Sequence, residues 1–329
     1  MRPRVFITQP VAASALERLR TATEVRFNPD PLHIMEKDEL IEAARACDIL
    51  FCLLHDGVEA DVIRANPKLR AVASMTITPA NIDITAATSL GIPVTVIPRV
   101  LLDDCTADIA FALVLAVGRR IVEADRLVRA GAVLGCQSSF LESIGVSGRT
   151  IGIVGAGGVG LAMARRARGF GMRMLYHDPK RLKTDEEKSL GLEWTPLDRL
   201  LGESDYVSIH AALTPQTRHL IAGRELALMK PGAFLINTAR GPIVEEAALI
   251  AALAARRIAG AGLDVSESEP RFDAALRALP NVVITPHIGS AVTQVREAMA
   301  HAVVDNIFAV SEGRRPPNCW NEEIFTARV

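Results

Sequence analysis

The sequence lacks a strong charge imbalance, and it lacks any apolar run long enough to cross a membrane. Its formal net charge is −1 over 329 residues, without a basic block. That balance argues against nucleic acid or an anionic membrane as the main partner. The most apolar internal run covers residues 109–117, whereas a membrane span needs ~18 apolar residues. The short apolar run near the N-terminus, residues 5–7, is too short for the core of a signal peptide.

Paired cysteines are also lacking. The five cysteines are odd in number and widely spaced, and no CxxC pair occurs. This pattern suggests neither a structural zinc site nor a disulfide framework, so we expect no metal. Reduced thiols in a cytoplasmic protein fit it best. Hydrophobic residues make up 49% of the chain, and its length favours two domains rather than one.

Short apolar runs alternate with helical patterns along most of the chain. This alternation predicts an α/β protein with doubly wound parallel sheets. Early strands are expected at residues 4–8, 48–54 and 69–74, and helices at 12–20 and 59–66. After two prolines near residue 98, one long helix is expected over residues 104–130.

A looser segment, residues 131–148, precedes a second alternating series that runs to about residue 288. The final helical pattern, residues 292–310, could return to the first domain, and residues 314–320 read as an extended arm. We therefore predict a domain of residues 1–98 with 292–329, and a second domain of residues 99–291.

The strongest local signal is the glycine pattern GAGGVG at residues 155–160, between an expected strand at 151–154 and a helix at 161–169. Gly155 permits a tight turn, Gly157 lets the backbone approach a pyrophosphate, and Gly160 allows close packing of helix and strand. The helix N-terminus offers free N–H groups to the phosphates. This context predicts a dinucleotide site.

Asp178 ends the next expected strand, 18 residues after Gly160. A carboxylate there accepts hydrogen bonds from the adenosine ribose and repels a 2′-phosphate, which favours NAD over NADP. Lys180 and Arg181 weaken that preference. The alternative is that Asp178 is only a turn residue before Pro179.

Three later strands are expected at residues 233–237, 262–265 and 281–284. Arg240, Glu269 and His287 follow them in turn, and parallel strands deliver such residues to one edge of a sheet. An arginine there can hold a carboxylate by two parallel bonds. The alternatives are a surface arginine in a turn and a surface ion pair between Glu269 and His287.

The chain resembles the D-isomer-specific 2-hydroxyacid dehydrogenases over nearly its whole length. The resemblance rests on an ordered series of segments: GAGGVG at 155–160, HAALTP at 210–215, NTARG at 237–241, LDV at 263–265 with EP at 269–270, and PHIGS at 286–290. It implies two Rossmann-like domains with the active site between them, the nucleotide domain inserted into the substrate domain, and a homodimer.

The resemblance also implies a catalytic set. His287 would donate a proton to the carbonyl oxygen of a small 2-oxo acid, and imidazole suits this because its ordinary pKa, ~6.5, lies near neutrality. Glu269 would hold the other ring nitrogen, and Arg240 would bind the substrate carboxylate. Ile77 and Thr78 belong to the loop expected to bind the substrate.

Cofactor contacts are implied at positions in and after the strands. Asp264 would lie near the nicotinamide amide, Thr106 would face the cofactor, and His210 would line the adenine side through its backbone. The full expected set is Thr106, Gly155, Gly157, Gly158, Val159, Gly160, Asp178, His210, Ala212, Thr217, Thr238, Ala239, Asp264 and Gly289.

The chain departs from its relatives in the substrate loop. They usually carry glycine where Thr78 stands, so Thr78-Pro79 must shape this loop differently. Three residues bear on which substrate is expected. Ile77 disfavours phosphite as the substrate, and Ser74 makes a phosphorylated substrate less expected. Glu269 argues against the activity of a formate dehydrogenase. Many relatives carry a tryptophan in the loop after the long helix. In this chain, residues 135–137, including Cys136, occupy that region.

These features predict an NAD-linked reductase of glyoxylate, hydroxypyruvate or a larger 2-oxo acid, with NADP a less favoured cofactor. The competing hypothesis is a dinucleotide-sensing binding protein, similar to the corepressors that share this fold.

Overall fold

A computed structural model describes residues 2–326 as two compact units, and each contains one parallel β-sheet. Residues up to Leu101, together with those from Val292 on, form the first unit, and Leu102–Ala291 forms the second. The first break lies at Leu101, compared with the predicted residue 98; the functions assigned to the two parts stay predictions.

In chain order, the first unit contains strands β1 (Arg4–Ile7), β2 (Glu24–Phe27), β3 (Ile49–Cys52), β4 (Ala71–Ser74) and β5 (Val94–Thr95), with helices α1 (Ala13–Arg20), α2 (Lys37–Ala46), α3 (Ala60–Arg64) and α4 (Ile84–Ser89). The second contains helices α5 (Asp103–Gly118), α6 (Ile121–Arg129), α7 (Gly158–Gly169), α8 (Thr184–Leu190), α9 (Leu197–Glu203), α10 (Gly223–Leu228), α11 (Glu246–Ala254) and α12 (Ala274–Ala278). Its strands are β6 (Thr150–Val154), β7 (Arg173–His177), β8 (Leu192–Trp194), β9 (Tyr206–Ile209), β10 (Phe234–Asn237), β11 (Gly260–Leu263) and β12 (Val282–Ile284). Helix α13 (Thr293–Ser311) follows in the first unit.

The five strands of the first unit are parallel, in the order β2-β1-β3-β4-β5. Strands β3 and β4 are buried at every position, which explains why they read as continuous apolar runs. Helix α13 packs against α1, where Arg18 bonds to Asp305 at 2.6 Å. The last helix therefore completes the unit that the first residues begin.

The predicted extended arm pairs with the edge of this sheet. The Trp320 N–H donates to the Val94 carbonyl at 2.8 Å, and the Val96 N–H donates to the Asn318 carbonyl at 3.0 Å. Thr95 and Cys319 form an antiparallel bridge. The arm thus covers an edge that would otherwise expose unpaired backbone groups.

The seven strands of the second unit are also parallel, in the order β12-β11-β10-β9-β6-β7-β8. The chain moves outward from β6 to β7 and β8, then returns to the other side of β6 with β9. Ligands of open α/β sheets bind at the carboxyl ends of the strands where the order reverses in this way. The glycine loop after β6 lies at that point. The expected class, α/β with two Rossmann-like domains, is confirmed.

Several expected elements differ from the observed bounds, and two of these differences have a clear structural cause. The single long helix is two helices, α5 and α6, because Arg120 adopts a left-handed backbone (φ 53°) and the Gly118 carbonyl accepts the Ile144 N–H at 3.0 Å. Strand β11 ends at Leu263 rather than residue 265. The next residue, Asp264, turns into a hydrogen-bond network with the loop after β12.

The five cysteines are free thiols, and only Cys136 is exposed. Burial raises the pKa of the Cys47 thiol to about 12 and that of Cys319 to about 11. No helix between residues 2 and 326 is long and apolar enough to span a bilayer. The same residues contain no cluster of three or more histidine, cysteine or acidic side chains that could hold a metal ion.

Candidate active site

The glycine loop between β6 and α7 is held by contacts that exclude side chains at two positions. Gly155 has a left-handed backbone (φ 97°), and a Cβ there would lie 2.6 Å from the Ala211 nitrogen. A Cβ at Gly160 would overlap the Gly155 carbonyl. These contacts explain why the tight turn at Gly155 and the close packing at Gly160, both expected from the sequence, require glycine.

The front of the same loop is open. A Cβ on Gly157 would meet no atom within 4 Å. The first-turn N–H groups of α7, at Gly158, Val159 and Gly160, donate to no acceptor in the described part of the chain. An approachable backbone with free amides at a helix N-terminus fits the pyrophosphate of a dinucleotide.

Asp178 follows β7 and faces this loop. Its carboxylate accepts the Ala156 N–H at 2.9 Å and the Lys180 N–H at 2.8 Å. The Arg181 guanidinium instead bonds to Glu187 at 2.8 Å and lies over the Trp194 ring. The charge of Arg181 is therefore matched by a carboxylate of its own.

The loop that carries His287 is anchored by Asp264, which is buried. The Asp264 carboxylate accepts the Thr285 hydroxyl at 2.6 Å and the N–H groups of Ile288 and Gly289 at 2.9 Å each. His287 has φ 53°, and its N–H donates to the Asp264 carbonyl at 2.9 Å. A left-handed backbone at a non-glycine residue persists only where its surroundings enforce it, as these four bonds do.

His287 and Glu269 form a direct pair. His287 Nδ1 lies 2.7 Å from Glu269 Oε2, and both side chains are largely buried. Burial acts to raise the pKa of Glu269, but the bond and charge of His287, the Ser266 N–H and the charge of Arg240 together hold that pKa below its ordinary value. His287 Nε2 has no hydrogen-bond partner among residues 2–326. The pair can hold a ring nitrogen ready for proton transfer.

Arg240 follows β10 in a turn packed against the loop of Glu269. A Cβ at Gly241 would overlap the Ser266 carbonyl, so the two loops touch through their backbones. Within the turn, Asn237 Nδ2 donates to the Arg240 carbonyl at 3.0 Å, and Arg240 Nη1 donates to the Ala239 carbonyl at 2.7 Å. The Glu246 and Glu267 side chains each accept the other's backbone N–H, which ties the same loops together. No sequence signal pointed to that reciprocal pair.

Several expected cofactor residues also come together. A Cβ at Gly289 would lie 3.4 Å from both Thr106 Oγ1 and Asp264 Oδ2, so these three residues are neighbours. Thr238 Oγ1 is buried without a hydrogen-bond partner. Thr217 Oγ1 donates to the Ala212 carbonyl at 2.6 Å and closes the turn after β9. Contacts of these residues with the cofactor stay predictions.

His210 directly follows β9. Burial lowers its pKa to about 3, so the ring is neutral at ordinary pH. Its Nε2 lies 2.8 Å from Ser208 Oγ, and its Nδ1 is buried without a partner. This ring is unsuited to acid–base chemistry near neutrality.

The expected substrate loop after β4 is organised by hydroxyl groups. Thr76 Oγ1 lies 2.7 Å from Ser74 Oγ and donates to the Thr78 carbonyl at 2.8 Å. Thr78 has no left-handed backbone, which explains why glycine is not required there. Within the described residues, the N–H groups of Ile77 and Thr78 donate to no acceptor. They stay candidates for binding a carboxylate.

The sheet order, the open glycine loop and the carboxylate of Asp178 after β7 are typical of a dinucleotide-binding domain. The family model described as "D-isomer specific 2-hydroxyacid dehydrogenase, NAD binding domain" matches residues 111–289, more than half of the chain. The chain therefore belongs to the D-isomer-specific 2-hydroxyacid dehydrogenases, enzymes that interconvert 2-oxo and 2-hydroxy acids with a nicotinamide dinucleotide.

Comparisons with individual proteins agree with this family assignment. A glyoxylate reductase from Thermococcus litoralis is 44% identical over 99% of both chains. A putative D-isomer-specific 2-hydroxyacid dehydrogenase from Polaromonas has 35% identity, covers 97% of this chain and 99% of its own, and superposes with a TM-score of 0.91. An NADPH-dependent glyoxylate/hydroxypyruvate reductase from Sinorhizobium meliloti is 30% identical over 97% of both chains, with a TM-score of 0.81.

Proposed function

We propose that this chain reduces glyoxylate, hydroxypyruvate or a similarly small 2-oxo acid to the D-2-hydroxy acid, with NADH as the preferred reductant. The observation that carries this proposal is the 2.7 Å bond between His287 and Glu269 in a loop that also brings Gly289 beside Thr106. The glyoxylate reductase relatives support the substrate class.

Each side chain has one task in the proposed reaction. Bound NADH supplies the hydride. Glu269 fixes Nδ1 of His287, so Nε2 is the nitrogen that donates a proton to the substrate's carbonyl oxygen. Arg240 binds the substrate carboxylate, and the free N–H groups of Ile77 and Thr78 are proposed to bind it as well.

The preference for NADH rests on Asp178 and Arg181. A 2′-phosphate next to the Asp178 carboxylate would be repelled, and Arg181 is already paired with Glu187. Lys180 makes no ion pair among the described residues, so it is the nearby cation that would favour NADPH. The comparison of kcat/KM with the two reductants measures which influence dominates.

We also propose a cytoplasmic homodimer. The second unit exposes large apolar side chains on α6 and in the segment after it, at Ile121, Val128, Leu134 and Phe140. Exposed large apolar side chains are typical of interfaces when they form one patch, and we propose that these four contribute to the dimer interface. Light scattering in solution measures the mass directly.

A panel of 2-oxo acids of increasing side-chain size tests the proposed reaction, with nicotinamide absorbance as the readout. We expect turnover with the smallest acids and a D configuration in the product. Absence of turnover with every acid, despite normal NADH binding, would instead favour a dinucleotide-sensing role.

A further inference from the structure

A carboxylate lies against the first turn of the dinucleotide-binding helix α7. Asp103 is the first residue of α5, and a Cβ placed on Gly158 would overlap both oxygens and the carboxyl carbon of Asp103. Gly158 is the first residue of α7, directly after the open position at Gly157. An acidic group thus occupies the neighbourhood in which a cofactor pyrophosphate is expected.

The Asp103 carboxylate lacks a partner that would neutralise it. It forms no hydrogen bond and no ion pair within residues 2–326. Its neighbour Asp104 is different, since it is exposed and bonds to Arg165 at 3.5 Å and to Arg166 at 3.1 Å. The two arginines therefore face Asp104, while Asp103 faces the glycine loop.

Burial and the nearby charge of Asp104 raise the pKa of Asp103, against an opposing influence of Arg165. These are the charged side chains that act on Asp103 from α5 and from α7. The N-terminus of α7 adds a partial positive charge, which favours any anion held there. A carboxylate and a pyrophosphate would compete for that stabilisation and repel each other.

We propose that Asp103 makes dinucleotide binding proton-linked, because the cofactor binds more tightly when the Asp103 carboxyl group is neutral than when it is charged. Affinity for the cofactor then rises as pH falls, and a proton is taken up on binding in the pH range between the pKa of Asp103 in the free protein and its higher pKa in the complex. The inference rests on dinucleotide binding, which membership of the family supplies, and not on the proposed substrate.

The test is the Kd of NADH for the full chain, measured by nicotinamide fluorescence between about pH 5 and about pH 8, with NADPH as a second probe. We expect the wild-type Kd to increase as pH rises. Asp103→Asn should bind NADH roughly five- to tenfold more tightly at about pH 8, with the advantage shrinking toward about pH 5. Asp103→Glu should retain the pH dependence, because it keeps the charge.

Asp104→Asn is the matched control, since it removes a carboxylate from the same helical turn that faces solvent and arginines. Its Kd should stay within about twofold of the wild-type value. Circular dichroism and thermal unfolding check that all variants fold.

Equal affinity of Asp103→Asn and wild type at every pH would overturn the proposal. Weaker binding by Asp103→Asn would also overturn it, because the carboxylate would then be a favourable cofactor contact. The readout needs no 2-oxo acid, so failure of the proposed substrate class gives a different result.

Discussion

His210 and His287 stand at the ends of two strands of the same parallel sheet, β9 and β12, in opposite surroundings. His210 has one hydroxyl neighbour, a buried nitrogen without a partner and a pKa lowered to about 3 by burial. His287 has a carboxylate at 2.7 Å and a second ring nitrogen that no described residue engages. The difference teaches that position at a strand end does not decide the chemistry of a histidine; the group facing its ring does.

The largest expected effect comes from removing the paired ring. His287→Asn should lower kcat about 100-fold or more while leaving the Kd of NADH nearly unchanged, because general acid catalysis contributes that much. His210→Gln is the matched control, with kcat expected within a few-fold of wild type. Steady-state kinetics with glyoxylate and NADH measures both. If kcat falls as much in the control as in the test variant, the two histidines do not differ in their contribution to catalysis.

Removing the carboxylate partner should have a smaller effect. Glu269→Gln keeps a hydrogen-bonding group at 2.7 Å but loses the charge, so we expect kcat to fall by roughly tenfold. The Kd of NADH should stay near the wild-type value, because the group that is changed is bonded to the His287 ring. A kcat equal to that of the wild type would contradict this role of the Glu269 carboxylate.

The smallest effect concerns stability at acid pH. Because the pKa of His210 in the folded chain is about 3, the unfolded chain gains a proton below pH ~6.5 that the folded chain does not. Stability is therefore lost as pH falls from ~6.5 toward ~3. Replacing the ring in His210→Gln should remove about 1–2 kcal/mol of the loss between pH ~7.5 and ~5. Thermal unfolding at both pH values measures it, and parallel losses in variant and wild type would contradict the buried neutral ring.

The sequence predicted those elements whose local pattern and packing agree. Strand β6 was predicted to end at residue 154, where it does end, and the glycine loop was predicted because backbone geometry restricts each glycine separately. Short helices such as α4 and α10, with six residues each, were missed, because six residues are too few to show helical periodicity. The break at Arg120 was also missed, since a left-handed arginine has no sequence signature.

Within the candidate site, the residues were predictable but their supports were not. Glu269 and His287 were expected to pair, and they are in contact. Asp264 was assigned to the nicotinamide amide, yet its carboxylate is engaged by three donors of the loop after β12. The reciprocal Glu246–Glu267 bonds and the position of Asp103 depend on which loops the folded sheet brings together. Such contacts are long-range, and residue spacing along the chain does not encode them.

The return of α13 and the arm to the first sheet has a consequence for synthesis on the ribosome. The edge strand β5 is paired with backbone at Asn318 and Trp320, and α1 is covered by a helix that begins at Thr293. A growing polypeptide therefore has every residue of the second unit available before the first can bury its own surface. We therefore expect the unit that is translated first to finish folding last, with its apolar faces accessible to chaperones during that interval.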